Sequence, residues 1–253
     1  MNDIPHIFDD RLRRMRRARA AAGFDAFAFL AEAAAAELSD RIGSRDRDFP
    51  VAVCTGARAV RVPRIGHCLR GDVAPAFAGV VFEEGRLPFA GRSLDLYASV
   101  LTLHAINDLP GALLQIRRCL KPGGLFVAAL FGGETLRELR DCLAQAEIEI
   151  DGGLSPRVAP FADIRDAGGL LQRAGFDEPV ADVEPITVAY EHPLKLLADL
   201  RGMGETNVLV ERRRLFLKRA VVLRACEIYF ERYRGSDGRV TATFQILYLT
   251  GRA

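Results

Sequence analysis

A chain of 253 residues, 49% of them hydrophobic and 27% charged, is long enough for one α/β domain with a substantial core. The formal net charge of +2 implies no general attraction to nucleic acid or to membranes, and no apolar run approaches the roughly 20 residues of a membrane-spanning helix. Five scattered cysteines without a CxxC pair and four histidines without metal-binding spacing predict reduced thiols, a cytoplasmic location and no metal site.

An arginine-rich segment lies in the first of two helices predicted over residues 8–22 and 25–42, which Gly23 separates. The six arginines are Arg11, Arg13, Arg14, Arg16, Arg17 and Arg19. Three interpretations stay open: a solvated helix face, a docking surface for an acidic partner or an anionic membrane, and a targeting segment. Targeting segments are rich in serine and poor in acids, whereas here aspartates precede the arginines and no serine occurs before Ser39.

The rest of the chain alternates apolar strands with amphipathic helices, the pattern of a doubly wound sheet. Strands are predicted at residues 50–54, 67–71, 79–83, 94–103, 125–131, 180–190 and 240–250, the last two as an antiparallel-type pair. Helices are predicted from residue 109 to a stop at Lys121-Pro122-Gly123-Gly124, and at 134–150, 162–174, 193–200 and 209–232. We expect one domain over residues 1–253, with an N-terminal helical cap (1–48), a core (49–190) and a C-terminal part of helices and a last strand (191–253).

Polar residues follow the predicted strands, at the edge of the sheet where α/β proteins bind ligands. They are Thr55 and Gly56, Asp72, Glu83 and Glu84, and the segment from Ser99 to His104. A nucleoside needs a glycine for close backbone approach, an acid for the ribose hydroxyls and a polar or acidic group for the adenine edge. Asp72 is the ribose candidate. The alternative is that these acids are ordinary solvated carboxylates at strand ends.

A second cluster, His104 with Asn107 and Asp108, follows the fourth strand. A histidine at this edge can act as a general base toward a substrate hydroxyl, carboxyl or amine, so His104 is the catalytic candidate. Asp108 is expected to cap the helix that starts near Leu109-Pro110, where an early proline is favoured.

Residues 83–133 carry the words LPF, SLDL, LH, NDLP and LKPGG in that order. This order resembles the second half of class I S-adenosylmethionine (SAM)-dependent methyltransferases of the type 11 group. The resemblance implies a doubly wound Rossmann-like sheet with an N-terminal helical cap and a C-terminal elaboration, and SAM as the cofactor. It places Glu83, ahead of Glu84, at the adenine, Gly56 at the methionine part and His104 near the methyl acceptor.

The opening IFDDRLRRMRRARA and the later words GGLSPRVAPFADIRDAGGLLQRAGF, LLADLRGMGETN and GRVTATFQILYLTG narrow the resemblance to one branch. That branch includes relatives of the biotin-pathway malonyl-carrier-protein methyltransferase. It also includes the methyltransferase-fold assembly factor of respiratory complex I, whose mitochondrial member is associated with hydroxylating an arginine of a complex I subunit. In this branch residues 200–207 would form a lid or substrate-side loop; a helix C-cap and turn is the alternative.

The glycine loop departs from the family pattern. In VAVCTGARAV, Cys54 stands where the family has an acid, and Arg58 and Val60 stand where it has later glycines. The chain between Gly56 and Asp72 is also too short for a helix plus a strand, and Ala105 replaces the family's tryptophan after His104. These departures remove a partner for the cofactor's ammonium and obstruct its close approach.

Three functions follow from the resemblance and its departures. The first is a SAM-dependent methyltransferase with weakened cofactor binding, acting on a small-molecule or protein acceptor and not on nucleic acid. The second is a complex I assembly factor that binds a subunit and either hydroxylates it or acts as a chaperone. The third is a catalytically inactive protein that retains the fold and has some other partner.

Overall fold

Seven strands form one mixed sheet in the computed structural model, which describes residues 6–253; residues 1–5 of the predicted domain lie outside the described residues. The strands are β1 (Phe49–Thr55), β2 (Ile65–Asp72), β3 (Val80–Val81), β4 (Leu94–Val100), β5 (Leu120–Phe131), β6 (Asp177–Tyr190) and β7 (Val240–Arg252). Their order is β3-β2-β1-β4-β5-β7-β6. β1 to β5 run parallel, and β7 pairs antiparallel with both β5 and β6. The predicted doubly wound sheet with its late antiparallel pair is confirmed.

Seven α-helices flank this sheet within the described part of the chain. They are α1 (Asp10–Ala20), α2 (Phe29–Gly43), α3 (Leu109–Cys119), α4 (Arg137–Asp151), α5 (Ile164–Arg173), α6 (Pro193–Met203) and α7 (Arg219–Tyr233). Apolar side chains of α2, α4, α6 and α7 form one core on one face of the sheet, and those of α3 and α5 form a second core on the other. β4 is buried along its whole length, because both of its faces are covered. None of the helices between residues 6 and 253 is long and apolar enough to cross a bilayer.

The connection between β1 and β2 contains no helix. Parallel neighbours usually need a crossover of a dozen or more residues, whereas here residues 56–64 suffice as an irregular loop. This shortage of chain was predicted. It leaves residues 66–70 of β2 exposed, and it leaves a groove of about 860 Å³ beside α2. The groove is lined by residues of the loop, of α2 and of β2, among them Arg58, Arg61, Asp40 and Arg70.

Several predicted boundaries differ from the structure. The helix predicted at residues 209–232 begins only at Arg219, because the backbone around Leu209 pairs with the N-terminal segment at Phe8 instead of continuing a helix. The segment from Lys121 to Gly124 ends α3 as predicted, but it already belongs to β5. The third strand, predicted at 79–83, shrinks to Val80–Val81.

β1 begins at Phe49 and β6 ends at Tyr190, and these two residues are the limits predicted for the core, 49–190. α1 and α2 precede this core, joined by a 3₁₀ helix at Ala21–Phe27 in place of the simple break expected at Gly23. The division of residues 1–253 into cap, core and C-terminal part stays a prediction.

Candidate functional site

Three hydroxyl groups meet where β1 and β4 end. The Oγ1 atom of Thr102 lies 2.7 Å from Ser99 Oγ and 3.1 Å from Thr55 Oγ1, and all three side chains are buried. Gly56 follows directly with φ +104°, and a Cβ built there would lie 2.2 Å from the carbonyl oxygen of Val100. The glycine is therefore required by its packing against β4.

A small cavity lies beside these hydroxyls at the carboxyl ends of the strands. Its volume is about 20 Å³, enough for about one water molecule. Charged and polar side chains dominate its lining: Asp72, Glu84, Glu205, His104, Thr102, Arg13 and Arg17. The acids come from three separate segments of the chain, and both arginines come from α1. The N-terminal helix thus closes the site that the sheet forms.

Arg17 holds Asp72 in a two-point ion pair. Its Nε donates to Asp72 Oδ1 at 3.1 Å, its Nη2 donates to Oδ2 at 2.6 Å, and both side chains are buried. The Nη1 atom of Arg17 lies 3.5 Å from Glu205 Oε1, and the guanidinium lies over the ring of Phe77. Burial lowers the pKa of Arg17, but Asp72, with smaller contributions from Glu205 and Glu84, raises that pKa by more in total, so the guanidinium stays charged.

Arg13 and Glu84 form a looser buried pair one helical turn away. The Nη2 atom of Arg13 lies 3.6 Å from Glu84 Oε2, and both side chains are buried. Within residues 6–253 neither carboxylate oxygen of Glu84 accepts a hydrogen bond, and Arg13 Nε donates none. Buried polar atoms in native proteins nearly always have a partner, so Glu84 has unused capacity to bind a donor group.

His104 contacts Glu205 at the opposite side of the cavity. Its Nε2 lies 3.1 Å from Glu205 Oε2, and the imidazole packs on Phe131 with the ring centres 4.6 Å apart. Burial raises the pKa of Glu205, while the neighbouring His104 lowers it, with a net lowering to which Arg17 also contributes. Nδ1 of His104 has no partner among the described residues. The catalytic candidate is therefore buried and paired with a carboxylate.

The N-terminal segment is fixed in place by Asn107. The Oδ1 of this side chain accepts from the backbone nitrogens of Ile7 and Phe8, both at 2.8 Å, and its Nδ2 donates to the carbonyl oxygen of Phe8 at 3.0 Å. Asp9 caps α1 by accepting from Leu12 N at 2.9 Å. This attachment sets the register of α1, which places Arg13 and Arg17 on the face toward the cavity.

The arginine cluster divides between two surroundings. Arg13 and Arg17 are buried in the site, so the interpretation of the whole cluster as a solvated face is wrong for these two. Arg11 and Arg19 are exposed. Arg14 pairs with Glu83 at the surface, outside the cavity.

The structure places the six predicted cofactor-binding residues in different surroundings; they are Thr55, Gly56, Asp72, Glu83, Glu84 and Ser99. Asp72 and Glu84 line the cavity, whereas Glu83, the favoured adenine candidate, faces Arg14. Thr55 and Ser99 lie within hydrogen-bond distance of Thr102, which lines the cavity. Asp108 accepts from Gly111 N at 2.8 Å and caps α3, as predicted.

The sequence analysis did not assign Arg13 or Arg17 to the site, and it ranked Glu83 ahead of Glu84. It included Thr102 only as part of the segment from Ser99 to His104. The spacing of Arg13 and Arg17 was the available signal, because residues four apart share one face of a helix. Leu101, at the end of β4, has φ +51°, a conformation that non-glycine residues rarely adopt and that no sequence signal revealed.

The segment 200–207 forms the helix C-cap and turn that was one alternative, and its role as a lid or substrate-side loop stays a prediction. α6 ends at Met203, and Gly204 (φ +81°) forms its C-cap. The next residue, Glu205, reaches into the cavity, and Asn207 donates to the carbonyl oxygen of Pro156 at 2.8 Å. Arg16 of α1 donates to the Asn207 carbonyl oxygen. The loop therefore connects α1 to the site.

With α1 in place, SAM does not fit the arrangement of residues found at this edge. Ligand pockets occupy about 300 to 1,000 Å³, far more than the 20 Å³ left here. The arginines of α1 neutralise the acids that would meet the nucleoside. Cys54 offers no carboxylate for the ammonium group, and Arg58 pairs with Asp25 and Glu32 where the glycine loop would be.

The parallel sheet extended by an antiparallel β7, with acids at the strand ends, defines a class I methyltransferase fold. A methyltransferase domain family model matches residues 69–128. The YcgJ protein of Bacillus subtilis superposes with a TM-score of 0.57 at 11% identity, over 85% of this chain and 97% of that one. The predicted methyltransferase fold and domain are confirmed.

Curated relatives then define the branch. The mouse protein named arginine-hydroxylase NDUFAF5, mitochondrial, is 39% identical over 265 residues, which cover 97% of this chain and 77% of the mouse protein. A malonyl-[acyl-carrier protein] O-methyltransferase of Xylella fastidiosa is 35% identical over 170 residues, covering 67% of this chain and 55% of that enzyme. The chain belongs to the NDUFAF5 family.

Proposed function

We propose that this protein binds an arginine of a partner protein in the acidic pocket formed by Asp72, Glu84 and Glu205, as a chaperone-like assembly factor for a respiratory complex I subunit. The two-point pair of Arg17 with Asp72 carries this proposal, because it marks the pocket as suited to a guanidinium. The mouse relative's name, which describes an arginine hydroxylase, supports the same substrate group.

In this proposal the guanidinium of the partner replaces that of Arg17. Asp72 offers two parallel acceptors, and the free oxygens of Glu84 offer further ones. Because Asp72 and Glu84 are buried, each of these contacts is stronger than at the surface. This exchange requires α1 to move away from the strand ends. The site is therefore exposed only when the arginine of a partner competes with Arg17.

Chemical rescue tests the pocket's preference for guanidinium. In Arg17→Ala, the buried Asp72 loses its counter-ion, and the melting temperature falls. We expect agmatine, an amine with a guanidinium group, to restore part of that loss, and cadaverine, which has only ammonium groups, to restore much less. The double variant Arg17→Ala/Asp72→Asn controls for non-specific effects and should not respond. Equal rescue by both amines, or rescue of the double variant, would contradict the proposal.

The partner is tested with peptides. Overlapping peptides from complex I subunits, and copies with each arginine replaced by lysine or citrulline, are titrated against the full-length protein and against Asp72→Asn. We expect binding that depends on one arginine and on Asp72. Binding that is unchanged by replacing the peptide's arginines and by Asp72→Asn would show that the pocket is not the contact.

A cytoplasmic location is part of this proposal.

SAM-dependent methyl transfer to a small-molecule or protein acceptor is the second candidate. It is favoured by the positions of Asp72, at the end of β2, and Glu84, in the turn after the neighbouring β3, where nucleoside-binding acids would lie, and by His104, which lines the same cavity. When α1 withdraws, these groups become available to SAM. Gly56, with Thr55 and Ser99 beneath it, would then lie next to the methionine part.

Calorimetric titration with SAM and S-adenosylhomocysteine separates the two candidates. Micromolar binding that is lost in Asp72→Ala supports methyl transfer. The double variant Arg13→Ala/Arg17→Ala should then bind more tightly, because it removes the groups that fill the site. No heat and no thermal stabilisation at millimolar ligand, in either protein, would eliminate this candidate.

A further inference from the structure

Two cysteines on neighbouring strands bring their thiols together outside the acidic pocket. Cys54 of β1 and Cys68 of β2 have their Sγ atoms 2.9 Å apart. The parallel register pairs Ala52 with Cys68 and Cys54 with Arg70, so both side chains point to the same face of the sheet. Neither thiol lines the acidic pocket, and neither candidate function uses them.

The two thiols have different surroundings. Cys68 is exposed, whereas Cys54 is buried. The hydrogen bond between the two thiols and the positive charge of Arg70 lower the pKa of Cys68, while that hydrogen bond, together with burial, raises the pKa of Cys54. An accessible thiol with a lowered pKa beside a buried thiol is the arrangement of a reactive and a resolving cysteine.

We propose that Cys54 and Cys68 form a reversible disulfide when the protein meets a peroxide. The Cys68 thiolate attacks one peroxide oxygen, the O–O bond breaks, and Cys68 becomes a sulfenic acid as water or an alcohol leaves. The sulfur of Cys54 then attacks that of Cys68, the S–O bond breaks, and the hydroxyl leaves as water with the Cys54 proton. Two electrons pass from the thiols to the peroxide, and a dithiol reductant reverses the change by exchange.

A disulfide between Cys54 and Cys68 would close a ring of chain that includes the loop 56–64, which stands in place of the missing crossover helix. Cys54 and Cys68 lie 14 positions apart, and the loop 56–64 lies between them. The sulfurs need to approach from 2.9 Å to about 2.05 Å, a small shift for an exposed part of β2 that β3, paired only at Gly71 and Asp72, does not cover. A cross-link there fixes β2 to β1 and restricts the loop in the unfolded chain.

Mass spectrometry tests the proposal on the full-length protein. Reduced protein is treated with equimolar hydrogen peroxide, its free thiols are counted, and it is digested with trypsin under non-reducing conditions. We expect two thiols to disappear and the peptides 48–58 and 65–70 to be linked. The oxidised protein should melt about 5 °C or more above the reduced one.

Three variants complete the test. Cys68→Ser and Cys54→Ala should each abolish the linked peptide, whereas Cys119→Ser, which changes a buried thiol elsewhere, should keep it. Because Cys68 is exposed, its variant answers the question even if Cys54→Ala fails to fold. The proposal is overturned if peroxide converts Cys68 to a sulfinic or sulfonic acid without a linked peptide, or if the linkage joins other cysteines.

Discussion

At the scale of single residues, the buried pair of Arg17 and Asp72 decides the state of the site. Desolvating two charges costs several kcal/mol, and the pair offsets this cost only with good geometry and further hydrogen bonds. Here Asp72 also accepts from Ala74 N at 2.9 Å, and Arg17 also contacts Glu205. The intact pair is therefore stable, whereas removing one of its two partners lowers the free energy of unfolding.

We expect Arg17→Ala to lower the free energy of unfolding by about 3–5 kcal/mol, because it leaves the Asp72 charge buried without a partner. Urea denaturation at pH 7 measures this loss. The matched control is Arg14→Ala on the same helix, whose pair with Glu83 is at the surface; it should cost less than about 1 kcal/mol. Equal losses in the two variants would mean that the buried pair contributes nothing specific.

Gly56→Ala tests the close approach of β1 and β4. The left-handed φ and the 2.2 Å contact with Val100 O predict a loss of about 2 kcal/mol or more. Gly23→Ala is the control, since a Cβ there meets no atom within 4 Å. Thermal melts of both variants check the prediction. A Gly56→Ala protein as stable as the control would show that the strands can move apart.

At the scale of elements, α1 and the loop after α6 act as one unit over the strand ends. Arg17 contacts Glu205, and Arg16 contacts the Asn207 backbone. Phe8 packs with Ala105 and Leu209 in a small separate cluster. Asn107 fastens the beginning of this unit with three hydrogen bonds to the backbone.

Asn107→Ala should loosen α1 without altering the sheet. We expect faster hydrogen exchange over residues 6–20 and unchanged exchange in β4 and β5, followed by mass spectrometry. Binding of the arginine peptides should strengthen several-fold, because less free energy is needed to withdraw the helix. Exchange that rises in the sheet as well would indicate general destabilisation instead.

The contact of Glu205 with His104 predicts a pH dependence. The folded protein lowers the pKa of Glu205 below its ordinary value of 4.5, so the charged form is stabilised by folding. This contribution is present above about pH 4.5 and is lost as the pH falls through the folded pKa. Urea midpoints from pH 7 to 3 should therefore fall more steeply for the natural protein than for Glu205→Gln. Parallel curves for the two proteins would contradict the expected role of the pair.

At the scale of the whole molecule, the sheet is covered unevenly. β4 and β5 lie between two apolar cores, whereas β2 has neither a crossover helix before it nor a long neighbour beyond it. Residues 66–70 are exposed as a consequence. We expect amides of β4 and β5 to exchange slowest and those of 65–70 fastest among the parallel strands. Equal protection across the sheet in native-state exchange would show that another part of the molecule covers β2.

The sequence by itself determined the alternation of strands and helices, the missing crossover helix and the polar residues at the strand ends. These follow from local periodicity, from chain length and from caps such as Asp108, which depend on residues close in sequence. The words in residues 83–133 likewise indicated the methyltransferase fold before any contact was known.

Only the tertiary structure decided what occupies the site. Arg17 meets Asp72 across 55 positions, and His104 meets Glu205 across 101. No local pattern determines such pairs, because they depend on how α1 and the segment after α6 pack over the ends of the strands. The same geometry made Glu84 the buried acid and left Glu83 outside, although the two are adjacent in the chain. Both acids lie in the turn after β3, and the packing of α1 over this turn decides which of them is buried.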